Sequence, residues 1–238
     1  METILVCDDD QEIVQAIAIY LENEGYEVQC AYNGAEALEC LQKRSDIALA
    51  ILDVMMPDVD GIETTRRIRE ENNIPIIMLS AKSEDQDKIV GLRTGADDYV
   101  TKPFNPEELI ARVQSQLRRS GMMQMDRGGA VYQVGGLQMS DEDTSVMVDG
   151  RNVRLTPLEY NILKLLVRKP GKVFSTAEIY ETIWKEKAIG AENVVAVHVR
   201  HIREKIEINP REPQYLKEVW GVGYKIERQE TIPEDTIS

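Results

Sequence analysis

The chain has very few of the residues that cross-link, metallate or anchor a protein. Among 238 residues there are three cysteines, two histidines, two tryptophans and two phenylalanines. Cys7, Cys30 and Cys40 are odd in number, lie only in the first half and show no CxxC spacing. Neither a disulfide framework nor a zinc site is expected, and a reducing, cytoplasmic setting fits best. No apolar run approaches bilayer length, and the start METILVCDDD has no basic region followed by an apolar one. Neither export nor membrane embedding is expected. Positive charge is also scarce, with a net charge of −14. Such a chain as a whole disfavours nucleic acid, because non-specific affinity comes from Lys and Arg neutralising phosphates. The deficit is uneven: residues 1–120 carry 24 acids and 12 bases, residues 121–238 carry 18 and 16. Two parts with different partners are implied, and any DNA contact must rest on a local surface.

What is present is an alternation of two periods. The strand-like runs TILVCD, YEVQCAY, IALAILDV, PIIMLSA and DYVTKP are separated and followed by DQEIVQAIAIYLENEG, NGAEALECLQKR, GIETTRRIREENN, SEDQDKIVGLRTG and NPEELIARVQSQLRR. The longer runs have apolar residues at helical spacing, with Asp10, Asn33, Ser83 and Asn105 as cap residues. Residues 1–119 therefore read as an α/β domain whose parallel sheet is covered on both faces. Residues 120–130, SGMMQMDRGGA, lose periodicity and read as a flexible linker. Residues 131–228 begin with strand pieces around a hairpin signal at Asp149-Gly150, continue with three helical stretches and end in a hairpin, YLKEVWGVGYKIE. Residues 229–238 are polar and acidic and read as a frayed tail.

In an open parallel sheet, chemistry gathers at the carboxyl ends of the strands. The first predicted strand ends in Asp8, Asp9 and Asp10, the third in Asp53, the fourth in Ser80 and the fifth in Lys102. Carboxylates crowded at one edge repel unless a cation joins them, and Mg²⁺ suits carboxylates plus a backbone carbonyl and waters. Phosphoryl transfer needs a nucleophile, a divalent ion and fixed positive charge. Asp53 can be the nucleophile, Lys102 the point charge and the Ser80 hydroxyl a donor to a phosphate oxygen. A phosphatase reacting through aspartate is the competing class. Asp53-Val54-Met55 lacks the second aspartate, two residues on, that many such enzymes use as general acid.

The set CDDD, LDVMMPDVDG, MLSAK and DYVTKPF resembles the receiver domain of bacterial two-component response regulators, a flavodoxin-like (βα)5 fold. The resemblance implies that Asp53 accepts a phosphoryl group from a sensor histidine kinase. It also implies that Asp9, Asp53 and the Met55 carbonyl bind Mg²⁺ directly, with Asp8 acting mainly through water. Ser80 and Tyr99 would form a switch pair, and the Lys102-Pro103 peptide would be cis. The chain would then be no enzyme beyond its own phosphorylation and slow dephosphorylation.

The third helical stretch of the second half, ENVVAVHVRHIREK, can pack Val195, Val199 and Ile202 inward and turn Arg200, His201 and Arg203 outward, which suits a major groove. His198 and His201 have no spaced Cys or acidic partner for a metal and are expected to contact phosphate or bases. RLTPLEYNILKLL, VHVRHIREKIE and VWGVGYK resemble the α+β winged helix-turn-helix domain of OmpR/PhoB-type regulators, and VWGVGYKIE is locally similar to vancomycin-resistance regulators. Carried over by position, the resemblance implies groove contacts from Val197, Arg200, His201 and Arg203, and an RNA polymerase contact from the loop Lys185 to Ala191. It implies a phosphorylation-driven homodimer through Lys88, Arg93, Asp97, Asp98, Glu108 and Arg112, on the face of the receiver's fourth helix, fifth strand and fifth helix. Tandem double-stranded DNA sites would then be bound by the pair. Many members place arginine before the wing Gly-x-Gly, where this chain has Trp220. Either Lys217 and Lys225 supply phosphate contacts instead, or Trp220 packs under the wing.

Overall fold

A computed structural model describes residues 2–81, 95–125, 130–185, 187–188 and 192–228. The chain divides into two compact units, Met1–Met125 with Thr156–Glu159, and Asp126–Leu155 with Tyr160–Ser238. The predicted helix over 83–95, with Ser83, Lys88 and Arg93, and the predicted tail over 229–238 lie outside the described residues or at their margin.

The first unit is the expected parallel sheet. Strands β1 (Thr3–Cys7), β2 (Glu27–Ala31), β3 (Ile47–Asp53), β4 (Ile76–Ala81) and β5 (Asp98–Lys102) lie in the order β2-β1-β3-β4-β5. Every pairing is parallel. The helices α1 (Gln11–Asn23), α2 (Gly34–Lys43), α3 (Gly61–Glu71) and α4 (Pro106–Met125) complete the described elements of this unit. Successive side chains point to opposite faces of a strand, so two cores form. Ile4, Val6, Leu49, Ile51, Ile77 and Leu79 pack with α1 and α4 on one face. Leu5, Cys7, Ala50, Leu52 and Met78 pack with residues of α2 and α3 on the other. Burial on both faces explains why these strands read as unbroken apolar runs.

Local chemistry sets the helix starts. The Asp10 carboxylate accepts from the amides of Glu12 and Ile13, and Asn33 Oδ1 accepts from the Glu36 amide. Asp60, which the sequence reading had not singled out, caps α3 by accepting from Glu63 N. The α4 helix runs to Met125, five residues beyond Ser120, so the expected linker is shorter at its start than predicted. Met and Gln are good helix formers, and one interior glycine costs only about 1 kcal/mol.

In the second unit, β6 (Val131–Val134), β7 (Leu137–Ser140), β8 (Val146–Val148) and β9 (Arg151–Asn152) form an antiparallel sheet in that order. Asp149 and Gly150 turn the β8–β9 hairpin with φ of 49° and 79°, the left-handed pair that Asp-Gly favours. Three helices follow: α5 (Pro157–Val167), α6 (Thr176–Trp184) and α7 (Glu192–Ile206). The final hairpin is β11 (Leu216–Val219) and β12 (Gly223–Ile226). A two-residue strand, β10 (Phe174–Ser175), pairs with β12 and completes the sheet β10-β12-β11. No periodicity marks so short a strand, so it went unpredicted. This is a winged-helix architecture preceded by a four-stranded platform.

Candidate functional site

The sheet order places β1 between β2 and β3, so the chain leaves β1 and β3 toward opposite faces and opens a crevice at their carboxyl ends. Asp8 follows β1 and Asp53 ends β3, while Ser80 and Lys102 lie in β4 and β5. The predicted strand-end residues therefore meet. Lys102 Nζ lies 2.6 Å from Asp8 Oδ2 and 2.7 Å from Asp53 Oδ1. The second Asp53 oxygen accepts from the Met55 amide at 2.9 Å. Asp8 and Asp53 are buried and Asp9 is exposed, yet carboxylate oxygens of all three lie within 4.8 Å of one another. This all-oxygen donor set, open on the Asp9 side, fits a hard divalent cation. The Lys102-Pro103 peptide is cis.

Electrostatics follow from the crowding. Burial raises the Asp53 carboxyl above its ordinary range; Lys102 pulls it back, and Asp8 pushes it up again. Burial acts to lower the Lys102 ammonium, but Asp53 and Asp8 outweigh it and hold it above its ordinary value. Lys102 therefore stays charged between two carboxylates. Ser80 Oγ is buried and has no hydrogen-bond partner among the described residues. Since a buried hydroxyl is normally paired, this donor suits a ligand oxygen. Tyr99 is half-buried, lies beside Met78 in the strand register and packs against the core cluster on that face of the sheet.

Gly61, whose importance the sequence reading missed, determines how closely α3 approaches the site. A Cβ on Gly61 would lie 2.0 Å from the Asp53 carbonyl oxygen, and the Gly61 amide donates to Val54 O at 3.1 Å. Only glycine permits that approach. The signal available in sequence was the glycine closing MMPDVDG. Cys7, one residue before Asp8, is buried with its thiol pushed up to about 12, mainly by that burial, and is an inert core residue.

Asp97 was expected to face a partner chain, and the structure corrects this. Its carboxylate is buried, accepting from Arg69 Nη2 at 2.7 Å and from the Ile76 amide at 2.8 Å. Asp98 and Glu108 each lie 3.0 Å from Arg112 within the same unit.

In the second unit, Val195, Val199 and Ile202 are buried as predicted. His198 is not a surface residue: it is buried, with its ring 5.8 Å from that of Trp184 and 6.3 Å from that of His201. Val197 and His201 are also buried, so the exposed stripe of α7 consists of Asn193, Ala196, Arg200 and Glu204. Arg203 is likewise redirected. Its Nε donates to Leu216 O at 2.9 Å and its guanidinium lies 6.0 Å from the centre of the Tyr224 ring, tying α7 to the wing. Arg200 is exposed and paired with Glu204 at 2.8 Å. Lys217 and Lys225 face each other across the wing strands. The positions Lys185, Lys187 and Ala188 are the described part of the predicted polymerase loop.

Comparisons with known proteins agree with both units. Residues 4–114 match the response regulator receiver domain, and residues 150–226 match the C-terminal domain of transcriptional regulatory proteins. Regulatory protein VanRc of Enterococcus gallinarum is 44% identical over 230 residues, covering 95% of this chain and 99% of its own length. Regulatory protein VanR of Enterococcus faecium is 43% identical over 232 residues, covering 95% and 99%. A solved RitR mutant covers 96% of this chain and 100% of its own, with a TM-score of 0.77 at 24% identity, a likeness of fold alone. Among the described residues no helix is long and apolar enough to cross a membrane.

Proposed function

This chain belongs to the OmpR/PhoB-type response regulators, DNA-binding transcription regulators governed by phosphorylation, and from its site we propose that Asp53 is the residue that accepts the phosphoryl group. One observation carries the reading: the Asp53 carboxylate lies at the crevice between Lys102 and two further acids, in the same site as a buried, unpartnered Ser80 hydroxyl. An Asp53 oxygen attacks the phosphorus of a phosphohistidine on a sensor kinase. An O–P bond forms as the P–N bond breaks, and the imidazole leaves with the electron pair. Lys102 supplies the fixed positive charge for the transferred oxygens, and Ser80 donates to one of them.

Asp8, Asp9, Asp53 and the Met55 carbonyl would hold Mg²⁺, which supplies charge neutralisation at the phosphoryl oxygens when bound. The homologous regulators agree with a non-enzymatic role, and this chain's only catalysis would be its own phosphorylation and slow dephosphorylation. Ser80 and Tyr99 would carry the signal outward. Dimerisation would use Lys88, Arg93, Asp98, Glu108 and Arg112, the internal pairs of Arg112 with Asp98 and Glu108 exchanging for pairs of opposite charge with a second copy. DNA contact would come from Arg200 on α7 and from Lys217 and Lys225 on the wing. RNA polymerase would meet the loop around Lys185 to Ala191, and action would be cytoplasmic.

The test is intact mass and sedimentation of the full chain and of Asp53→Ala after treatment with a small acyl phosphate, with and without Mg²⁺. A single Mg²⁺-dependent phosphoryl adduct, absent in the variant and accompanied by dimer formation, is expected. An adduct that persists in Asp53→Ala would move the acceptor elsewhere.

A further inference from the structure

Four cations gather at the turn that joins α5 to β10, and they come from two separate stretches of the chain. Arg168, Lys169 and Lys172 belong to the turn itself, and Arg228 follows the end of β12. The turn is tight: the Lys169 amide donates to Leu166 O at 3.2 Å, the Lys172 amide to Lys169 O at 3.0 Å, and Gly171 has a φ of 83°. The Gly171 amide donates to Ile226 O at 2.8 Å, and Arg228 Nε donates to Pro170 O at 2.9 Å. A Cβ on Gly171 would lie 2.6 Å from that Nε, so the glycine leaves the space in which the Arg228 side chain crosses the turn. A guanidinium is thus laid onto a turn that already carries three positive charges.

Compensation is partial. Lys172 lies 3.5 Å from Glu178 and 4.1 Å from the centre of the Phe174 ring. Arg168 and Lys169 are exposed and have no ion-pair partner among the described residues, and Arg228 is exposed with a carbonyl for its partner. The negative carboxyl end of α5 accounts in part for Arg168 and Lys169. It does not account for Arg228, which arrives from 58 residues beyond Pro170. The cluster also lies apart from the cavity between α7 and the hairpin, whose described lining includes none of the four cations. Three exposed like charges in a chain of net charge −14 call for an anion close at hand.

The chain itself supplies one. Residues 229–238, QETIPEDTIS, which lie outside the described residues, follow directly on Arg228 and carry Glu230, Glu234 and Asp235 with no Lys, Arg or His. Three acids match three unpaired cations. At about 3.3 Å per residue, Asp235 can reach about 23 Å from Arg228, more than the length of the turn. A tether this short sets an effective concentration on the order of millimolar, which offsets the weakness of single surface ion pairs. We propose that this acidic segment folds back over Arg168, Lys169 and Arg228 and screens them from other polyanions, a nucleic-acid backbone foremost. The docking stands on charge within the second unit, and its consequence for DNA rests on the DNA-binding reading of that unit. Non-specific affinity for a duplex is then held down by the chain's own acids, which leaves α7 and the hairpin to set where the protein binds.

Two measurements on the full chain test it. In the first, a water-soluble carbodiimide joins carboxylates to amines in contact, an amide forming with loss of water, and peptide mass spectrometry of the monomer locates the links. Links from Lys169 to Glu230, Glu234 or Asp235 are expected at low salt, suppressed severalfold by salt of about 0.5 M and by Arg168→Gln/Arg228→Gln. Links equally frequent in that variant would reflect nearness along the chain alone and overturn the proposal. Links confined to a covalent dimer would assign the segment to a second copy and overturn it as well. In the second, the anisotropy of a labelled duplex of random sequence gives affinity over a range of salt concentrations. Glu230→Gln/Glu234→Gln/Asp235→Asn should bind about tenfold tighter at low salt, with the salt slope steeper by about 0.9 for each cation uncovered. Adding Arg168→Gln/Lys169→Gln should abolish most of that gain. Strictly additive effects of the two sets would show a change of net charge only and overturn the screening. Absence of any duplex binding at low salt would overturn the DNA-binding reading and the screening with it, while the cross-links would still decide the docking.

Discussion

Lys102 Nζ lies 2.7 Å from Asp53 Oδ1, and the same ammonium reaches Asp8 at 2.6 Å, so one half-buried cation holds two buried strand-end carboxylates together. Lys102→Met should leave those acids facing each other without compensation. Breaking such a pair destabilises by about 2–3 kcal/mol once partial exposure is allowed for. The first unit's melting temperature should fall by several degrees without Mg²⁺ and recover in millimolar Mg²⁺. A fall that Mg²⁺ leaves untouched would mean the acids do not bind the ion.

The pH dependence of stability follows from Asp53. Its carboxyl is raised in the folded chain, chiefly by burial, so the fold favours the protonated form. That contribution is fully present below the unfolded carboxylate range and is lost as pH rises through the folded value. In the absence of divalent ions, Asp53→Asn should therefore be more stable than wild type near neutrality, and the gap should close on acidification toward pH about 4. Calorimetric melting of both proteins across that range measures the sign directly; a gap that widens on acidification would refute the assignment.

Gly61→Ala separates helix propensity from packing. Alanine is favoured over glycine in a helix by about 1 kcal/mol, but here its Cβ would lie 2.0 Å from the Asp53 carbonyl oxygen. A net loss of about 2 kcal/mol is expected, along with slower phosphoryl uptake at Asp53 because the strand end must shift. Urea unfolding and the intact-mass time course read the two effects separately. Stabilisation by the alanine would show that the approach is relaxed in solution.

Glu207 is buried, and its carboxylate accepts from the backbone amides of Gln214, Tyr215 and Leu216 at 2.7, 2.9 and 2.8 Å. It fastens the end of α7 to the start of the wing. Glu207→Ala should strand three amides and cost about 3 kcal/mol or more, with Glu207→Gln intermediate. The melting transition of the second unit should drop while phosphoryl uptake by the first stays at wild-type level. Equal stability of the two variants and wild type would mean that water replaces the carboxylate at no cost.

Much of this protein was legible along the chain because its signals are local. Five strand-like runs alternating with amphipathic ones determine a parallel sheet, and the three in its middle, β1, β3 and β4, are apolar nearly throughout because both their faces are buried. Acids and a lysine at the ends of those runs determine the site, because a strand's carboxyl end is a fixed place in such a sheet. Asp10 and Asn33 act as the caps their types predict. What the tertiary structure alone decided involves contacts between distant segments or small rotations of a side chain. Helical spacing places His198 and His201 near the boundary of the apolar face, and the neighbouring Trp184 decides that His198 turns inward. Arg203 looks like a groove residue until the wing offers it the Leu216 carbonyl. Asp97 looks like a surface acid until Arg69 and the Ile76 amide surround it. Trp220 had two readings in sequence, under the wing or away from it. Only the tertiary structure, in which Trp220 sits 92% exposed beside the turn at Gly221, decided for exposure.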